Sequence, residues 1–223
     1  AMSYNDSENY ILPLSHDEVV HLKCSMVEKM PGYKVDKYAN LRAGYTYMFG
    51  HSGKKLLFMG QDFGQEREWS EKRELDWFLL DNDLNKGMKA YVGNLLEIYR
   101  KYPALHEVDN DWGGFEWINA DDKGRSTYSF YRRASSGKDN ILFVLNMTPV
   151  ERKGFMVGVP FDVTYTHILD SAEERFGGPG SNIPPKIKAI KGLCDYKDYS
   201  ITFDLPPYGA EVFVFQTPKL KKK

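Results

Sequence analysis

The spacing of apolar positions changes period near Trp112-Gly113-Gly114. Before that point the period is helical. Tyr38, Leu41, Arg42, Tyr45, Met48 and Phe49 recur at i, i+3, i+4 and i+7, and Gly50 supplies a stop. Met88, Tyr91, Val92, Leu95, Tyr99 and Tyr102 define a second helix that Pro103 ends. Between them, the short run Lys55-Leu56-Leu57-Phe58-Met59-Gly60 reads as a strand buried on both faces, as in a parallel sheet covered by helices. Tyr10-Ile11-Leu12-Pro13-Leu14 is a second such run, so the order is strand, helix, strand, helix.

After Gly114 the period becomes two. Tyr199, Ile201, Phe203 and Leu205 alternate with polar residues, and so do Tyr128, Phe130 and Arg132. Ile141–Leu145 and Val212–Phe215 are continuously apolar. Turns are expected at Ser136-Gly137, Pro149, Gly158, Pro160 and Pro206-Pro207, and a long loop at 171–186. Short strands with regular punctuation predict an antiparallel sandwich. The chain is therefore read as α+β and two-part, with residues 1–111 built from strand–helix units, 112–218 all-β, and 219–223 a solvated basic tail.

Composition narrows the function classes. Thirty Lys and Arg against 31 Asp and Glu leave a net charge of −1, so no global field attracts nucleic acid or an anionic membrane. No apolar run approaches the roughly 20 residues that span a bilayer. The polar start at Ala1 reads as lacking a signal peptide, and an Ala ahead of Met2 as a cloning scar. Two cysteines, Cys24 and Cys194, make no disulfide framework, and a reducing, cytoplasmic compartment is expected.

Two polar clusters follow the short apolar runs. In Ser15-His16-Asp17-Glu18-Val19-Val20-His21 the two His are five apart, about 140° around a helix, so the cluster does not form a zinc helix motif and no metal is expected. At the carboxyl end of a parallel strand, His16 and Asp17 are instead a candidate pair for binding a polarised substrate and stabilising positive charge. The competing reading is a capped helix start, with Ser15 as cap and Asp17 and Glu18 facing the dipole. Asp62, beyond the second run, is a candidate for the same rim and for substrate binding; a solvated loop carboxylate is the alternative.

Longer motifs carry a resemblance. Glu8-Asn9-Tyr10-Ile11-Leu12-Pro13-Leu14-Ser15-His16-Asp17-Glu18, Lys29-Met30-Pro31-Gly32, Ala39-Asn40-Leu41-Arg42, Arg67-Glu68-Trp69, Leu75-Asp76-Trp77 and Tyr102-Pro103-Ala104-Leu105-His106-Glu107 together resemble the prokaryotic-type 1,4-alpha-glucan branching enzymes of the alpha-amylase superfamily. The resemblance implies the last two strand–helix units of a (β/α)₈ TIM barrel followed by a C-terminal β-sandwich. It assigns Asp17 to stabilising the transition state and His16 to hydrogen-bonding the sugar, with no nucleotide or metal required. The chain departs from the family pattern at Leu22 and Cys24, where Gly and Lys are common, and at Asp62, where Glu is usual.

Length then becomes decisive. A barrel of this type takes about 250 residues, and the sandwich leaves room here for only two units. Retaining glycosyl transfer also needs a nucleophilic carboxylate and an acid/base carboxylate about 5 Å apart. The resemblance places both on segments absent from these 223 residues. The expectation is a C-terminal fragment of a branching enzyme, inactive alone. Its partners would be α-1,4-glucan through the whole enzyme, the remaining barrel portion, and further copies of itself through exposed barrel strands. The alternatives are a non-catalytic glucan-binding or structural β-module, or a fragment of a hydrolase of the same superfamily.

Overall fold

The change of period at Trp112 marks a change of architecture. The computed structural model describes residues 8–218, so the readings of the polar start and of the basic tail lie outside the described residues. β1 (Ile11–Leu14), α1 (Lys34–Gly50), β2 (Lys54–Leu57) and α2 (Asp83–Lys101) follow in the expected order. β1 and β2 pair in parallel, from Ile11 opposite Lys54 to Leu14 opposite Leu57. A parallel pair cannot be closed by a hairpin, and α1 supplies the crossover. The Asp36 carboxylate accepts the Tyr33 backbone N–H at 3.0 Å at the head of α1. Asp83 opens α2, and Arg100 and Lys101 close it, each suiting the helix dipole.

The strand at Lys54–Leu57 is not buried on both faces as the sequence suggested. Both β1 and β2 alternate exposed and half-buried positions. Leu12, Leu14 and Leu57 pack toward the helices, whereas Ile11 is 55% exposed. Within the described residues this sheet has two strands and helix cover for one face. An open apolar groove of about 400 Å³ runs between β1 and α1, lined by Leu12, Leu14, Met26, Met30, Leu41 and Tyr45 among others.

Nine antiparallel strands follow: β3 (Phe115–Asp122), β4 (Thr127–Arg132), β5 (Asn140–Asn146), β6 (Arg152–Val159), β7 (Thr164–Asp170), β8 (Lys186–Lys188), β9 (Ile190–Cys194), β10 (Lys197–Leu205) and β11 (Ala210–Phe215). They form a six-stranded sheet, β3-β4-β5-β11-β7-β8, and a three-stranded one, β6-β10-β9. Gly158, expected at a turn, lies inside β6. A Cβ there would stand 2.1 Å from the Cys194 carbonyl oxygen, so glycine serves close backbone approach rather than chain reversal.

The continuous apolar run of β5 has a physical reason: both faces of the six-stranded sheet are covered. Ile141, Phe143 and Leu145 join Tyr91 and Leu95 of α2 in one core. Leu142 and Val144 join Val157, Ile201 and Phe203 of the smaller sheet in another. Strand alternation thus delivers one set of side chains to the helices and the other to the sandwich. Gly50 permits a close approach of α1 to the sheet, since a Cβ on it would lie 2.8 Å from both Phe130 and Phe143.

Buried charges tie the layers together. Arg132 is fully buried and donates to the carbonyls of Gly114 (3.0 Å), Gly50 (3.1 Å) and His51 (3.1 Å) and to Asp109 (2.7 Å). Lys54 adds a second bond to Asp109 at 2.9 Å. Burial alone would raise the Asp109 pKa, but these two cations outweigh it and hold the carboxyl below its ordinary value. Arg42 of α1 donates to the carbonyls of Ser171 (2.8 Å) and Phe176 (2.9 Å), pinning the long 171–186 loop. Deeper still, Glu211 is fully buried 2.8 Å from His167. Burial, reinforced by Asp170, pushes the Glu211 carboxyl well up, and burial pushes His167 down, so both neutral forms are favoured.

Candidate active site

The parallel ladder brings two loops side by side. The Phe58 N–H donates to the Leu14 carbonyl at 3.1 Å, carrying the pairing one step past both strands. Ser15-His16-Asp17 therefore leaves β1 next to Phe58-Met59-Gly60 leaving β2, at one carboxyl-end rim. The His16 ring lies 6.0 Å from Phe58 and 6.4 Å from Trp69, and these two aromatics meet edge to face at 5.2 Å. His16 Nε2 stands 3.2 Å from Asp17 Oδ1. The two side chains are 54% and 70% exposed, open to water on this face.

The helix-start alternative is partly realised. Ser15 Oγ accepts the Asp17 N–H at 3.3 Å and caps a single 3-10 turn, His16–Glu18. One turn has little dipole to complement; the Asp17 carboxylate accepts the Ser15 hydroxyl at 3.4 Å and faces His16 Nε2, so its contacts are local to this turn and the rest of it meets water.

Asp62 sits in another one-turn 3-10 helix, Gln61–Phe63, between Gly60 and Gly64. This turn is held from below. Tyr45 Oη donates to the Gln61 carbonyl at 3.0 Å, and the buried Asn85 of α2 donates to the carbonyls of Phe63 (2.9 Å) and Gly64 (3.1 Å). Asp62 is close enough to add to the rise in the Tyr45 pKa, which burial causes first. The structure thus places His16 against an aromatic pair with Asp17 beside it, and it sets Asp62 on a turn anchored to the two helices.

Sequence reasoning missed the clamp behind the rim. Glu68 accepts the backbone N–H groups of Leu22 (3.2 Å) and Cys24 (2.7 Å), and the Trp69 N–H donates to the Val19 carbonyl at 3.0 Å. His21, Leu22 and Cys24 all have positive φ, at 58°, 65° and 65°. Leu22 is 95% exposed in that left-handed conformation. The departure at Leu22 marks a position whose backbone suits glycine. Next to the clamp, Arg67 and Gln65 bind the buried Asp76, each with a 2.7 Å bond. The Arg67 bond chiefly lowers the Asp76 pKa. Arg67-Glu68-Trp69 and Asp76 were visible only as motif letters, since neither φ nor a hydrogen bond is written in a sequence.

Among the described residues no group of three or more His, Cys, Asp or Glu is placed to hold a metal ion, and no helix is long and apolar enough to cross a membrane. Cys24 and Cys194 are both free thiols. The space behind the loop, between Val19, Val27, Gln65 and Trp69, amounts to about 10 Å³, room for one water at most. That space is too small to admit a sugar ring.

Residues 117–216 match the family described as the alpha amylase, C-terminal all-beta domain. Over 99% of its length the chain is 90% identical to the 1,4-alpha-glucan branching enzyme GlgB of Butyrivibrio fibrisolvens, of which it covers 35%. The GlgB of Rubrobacter xylanophilus is 45% identical over 96% of the chain, with 30% of that protein covered, and that of Geobacillus stearothermophilus 43% over 95%, with 33% covered. The chain thus spans about a third of the length of these relatives. A solved structure described as AmyP in complex with maltose shares the fold, with a TM-score of 0.56 at 18% identity over 83% of this chain and 36% of that one. The chain is therefore a relative, over almost all its length, of the C-terminal region of bacterial glycogen branching enzymes, and it carries the alpha-amylase C-terminal all-beta domain.

Proposed function

We propose that this chain supplies the last two strand–helix units of a (β/α)₈ barrel, within residues 1–111, and the all-β domain, within 112–218, of a cytoplasmic 1,4-alpha-glucan branching enzyme. The observation that carries the reading is the 90% identity to a branching enzyme over 99% of the chain. The parallel β1–β2 pair with its crossover helix supports the barrel assignment. In the whole enzyme an α-1,4 bond is cleaved through a covalent glycosyl-enzyme, and the piece is rejoined as an α-1,6 branch by retaining double displacement. Asp17 stabilises the oxocarbenium-like transition state, His16 hydrogen-bonds the donor sugar, and Asp62 contributes to substrate binding.

These 223 residues alone do not branch glucan. A carboxylate 70% exposed acts through water, where a charge pair at 4 Å is worth only about 1 kcal/mol, against about 4 kcal/mol at an effective dielectric of 20. Asp17 needs the remaining barrel to exclude that water and to supply the nucleophile and the acid/base. The apolar groove between β1 and α1 and the edges of the two-stranded sheet are the surfaces that portion would cover. Left open, they favour self-association, which sedimentation at rising concentration would show.

The test is to incubate the chain with amylose and follow iodine absorbance, alone and with the N-terminal two-thirds of the Butyrivibrio fibrisolvens enzyme. No change alone, and a change with the complement that Asp17→Asn abolishes, is the expected outcome. Branching by the chain alone, or complementation indifferent to Asp17, would sink the assignment.

A further inference from the structure

One side chain on the opposite side of the six-stranded sheet from the helices has no structural task. Asp195 and Tyr196 form the two-residue turn between β9 and β10, where Cys194 pairs with Lys197. Both have positive φ, 48° and 59°, a turn that ordinarily takes Asn and Gly. Yet the second position holds a tyrosine that is 100% exposed. Its ring gains nothing from packing in this chain.

The base under that ring is rigid. Asp195 accepts the Asn119 side-chain amide at 2.7 Å through one oxygen and the Gly158 backbone N–H at 2.9 Å through the other. The turn is thereby fastened to β3 and to β6. Beside it lies a groove of about 340 Å³ that Tyr196 shares with Ile118, Asn119, Asp121, Asp122 and Arg125. Arg125 Nε donates to Asp122 at 2.6 Å, which sets the guanidinium along one wall. The volume is within the range of small-molecule sites.

The wall chemistry selects a ligand class. Carboxylates, an amide and a guanidinium mixed in one open groove suit neither an anion, which the carboxylates repel, nor an apolar chain. They suit neighbouring hydroxyl groups, which both donate and accept. A projecting aromatic face suits the flat C–H face of a pyranose ring.

We propose that Tyr196 and this groove bind a short stretch of α-1,4-glucan, with one glucose ring stacked on Tyr196 and its hydroxyls bonded by Asn119, Asp121 and Arg125. The choice of glucan among polyols rests on the branching-enzyme reading. The site would hold the polymer on the all-β domain independently of the strand-end rim.

Titrating the full chain with maltoheptaose by calorimetry, beside cellohexaose and the Tyr196→Ala variant, tests this. The expected result is measurable maltoheptaose binding, weaker binding of cellohexaose, and a loss of about tenfold or more in Tyr196→Ala. Tyr196→Phe should keep most of the affinity. Thermal unfolding checks that the Ala variant is folded, which removal of a fully exposed ring permits. No binding by the wild type, equal binding of both sugars, or an unaffected Ala variant would overturn the proposal. So would a Tyr196-dependent dimer in sedimentation, which would make the ring a self-contact. Binding is read here without catalysis, so this site can fail while complementation succeeds, and the reverse.

Discussion

Replacing Arg132 by Met should cost more stability than a surface substitution could. The guanidinium is fully buried and links the end of α1, the connection before β3, and β4. Met keeps most of the volume and removes every donor. It leaves Asp109, itself buried, with Lys54 as its remaining charged partner, and the Lys54 side chain is 56% exposed. Removing one member of a buried pair costs about 3–5 kcal/mol, because the abandoned charge stays desolvated. Arg132→Met is expected within that range, a large share of the roughly 5–15 kcal/mol of a typical domain. Equilibrium urea unfolding at pH 7, followed by tryptophan fluorescence, measures it. Adding Asp109→Asn should recover part of the loss, with a coupling of roughly 0.5–3 kcal/mol in the double-mutant cycle. A loss below about 1 kcal/mol, or strict additivity, would refute the view that this pair joins the helical layer to the sheet.

Three further outcomes are expected. Leu22→Gly should raise Tm by about 2 °C, since relief of left-handed strain (about 1–2 kcal/mol) exceeds the added chain entropy (about 0.5–1 kcal/mol) and the exposed Leu side chain packs on little; a fall in Tm would show the strain is absent. Gly50→Ala should destabilise by about 1–3 kcal/mol through overpacking against Phe130 and Phe143, whereas Gly93→Ala in α2, with open space around it, should stabilise by about 0.5–1 kcal/mol; opposite signs in denaturant midpoints are the readout. Because the folded pKa of Glu211 is raised, its contribution is present below the unfolded value of 4.5 and lost as pH rises through the folded one. Glu211→Gln should therefore gain on wild type as pH climbs from 5 to 8 in thermal melts, and a constant difference would mean that Glu211 does not titrate there.

The helices were legible because apolar residues recur at helical spacing in both and each has a stop near its end; α2 buries one stripe, whereas α1 is covered on most sides from Tyr38 onward. β4, β5, β10 and β11 were legible for the same kind of reason, apolar residues at period two or in an unbroken run. β3 was not, since its pairing with β4 shifts register after Trp117 and again after Asn119, which blurs alternation. β6 was hidden by Gly158, which packing rather than turning requires. The strand Lys54–Leu57 has the letters of a doubly covered strand, and in this structure one face is open. At the candidate site, strand-end position was enough to mark His16 and Asp17. The Glu68 clamp depends on backbone angles at His21, Leu22 and Cys24 that no residue name announces.

The two-sided burial of β5 has a practical edge. Trp112 is where the residue pattern breaks and where one would naturally cut the chain to obtain the β-structure by itself. Such a cut would strip α1 and α2 from Phe130, Ile141, Phe143 and Leu145 and present that face to water. At about 25 cal/mol per Å² of apolar surface newly exposed, the trimmed piece would be weakened and sticky. The place where the sequence changes character is thus not a place where the molecule can be divided. Dissection should carry both helices along with the sheet.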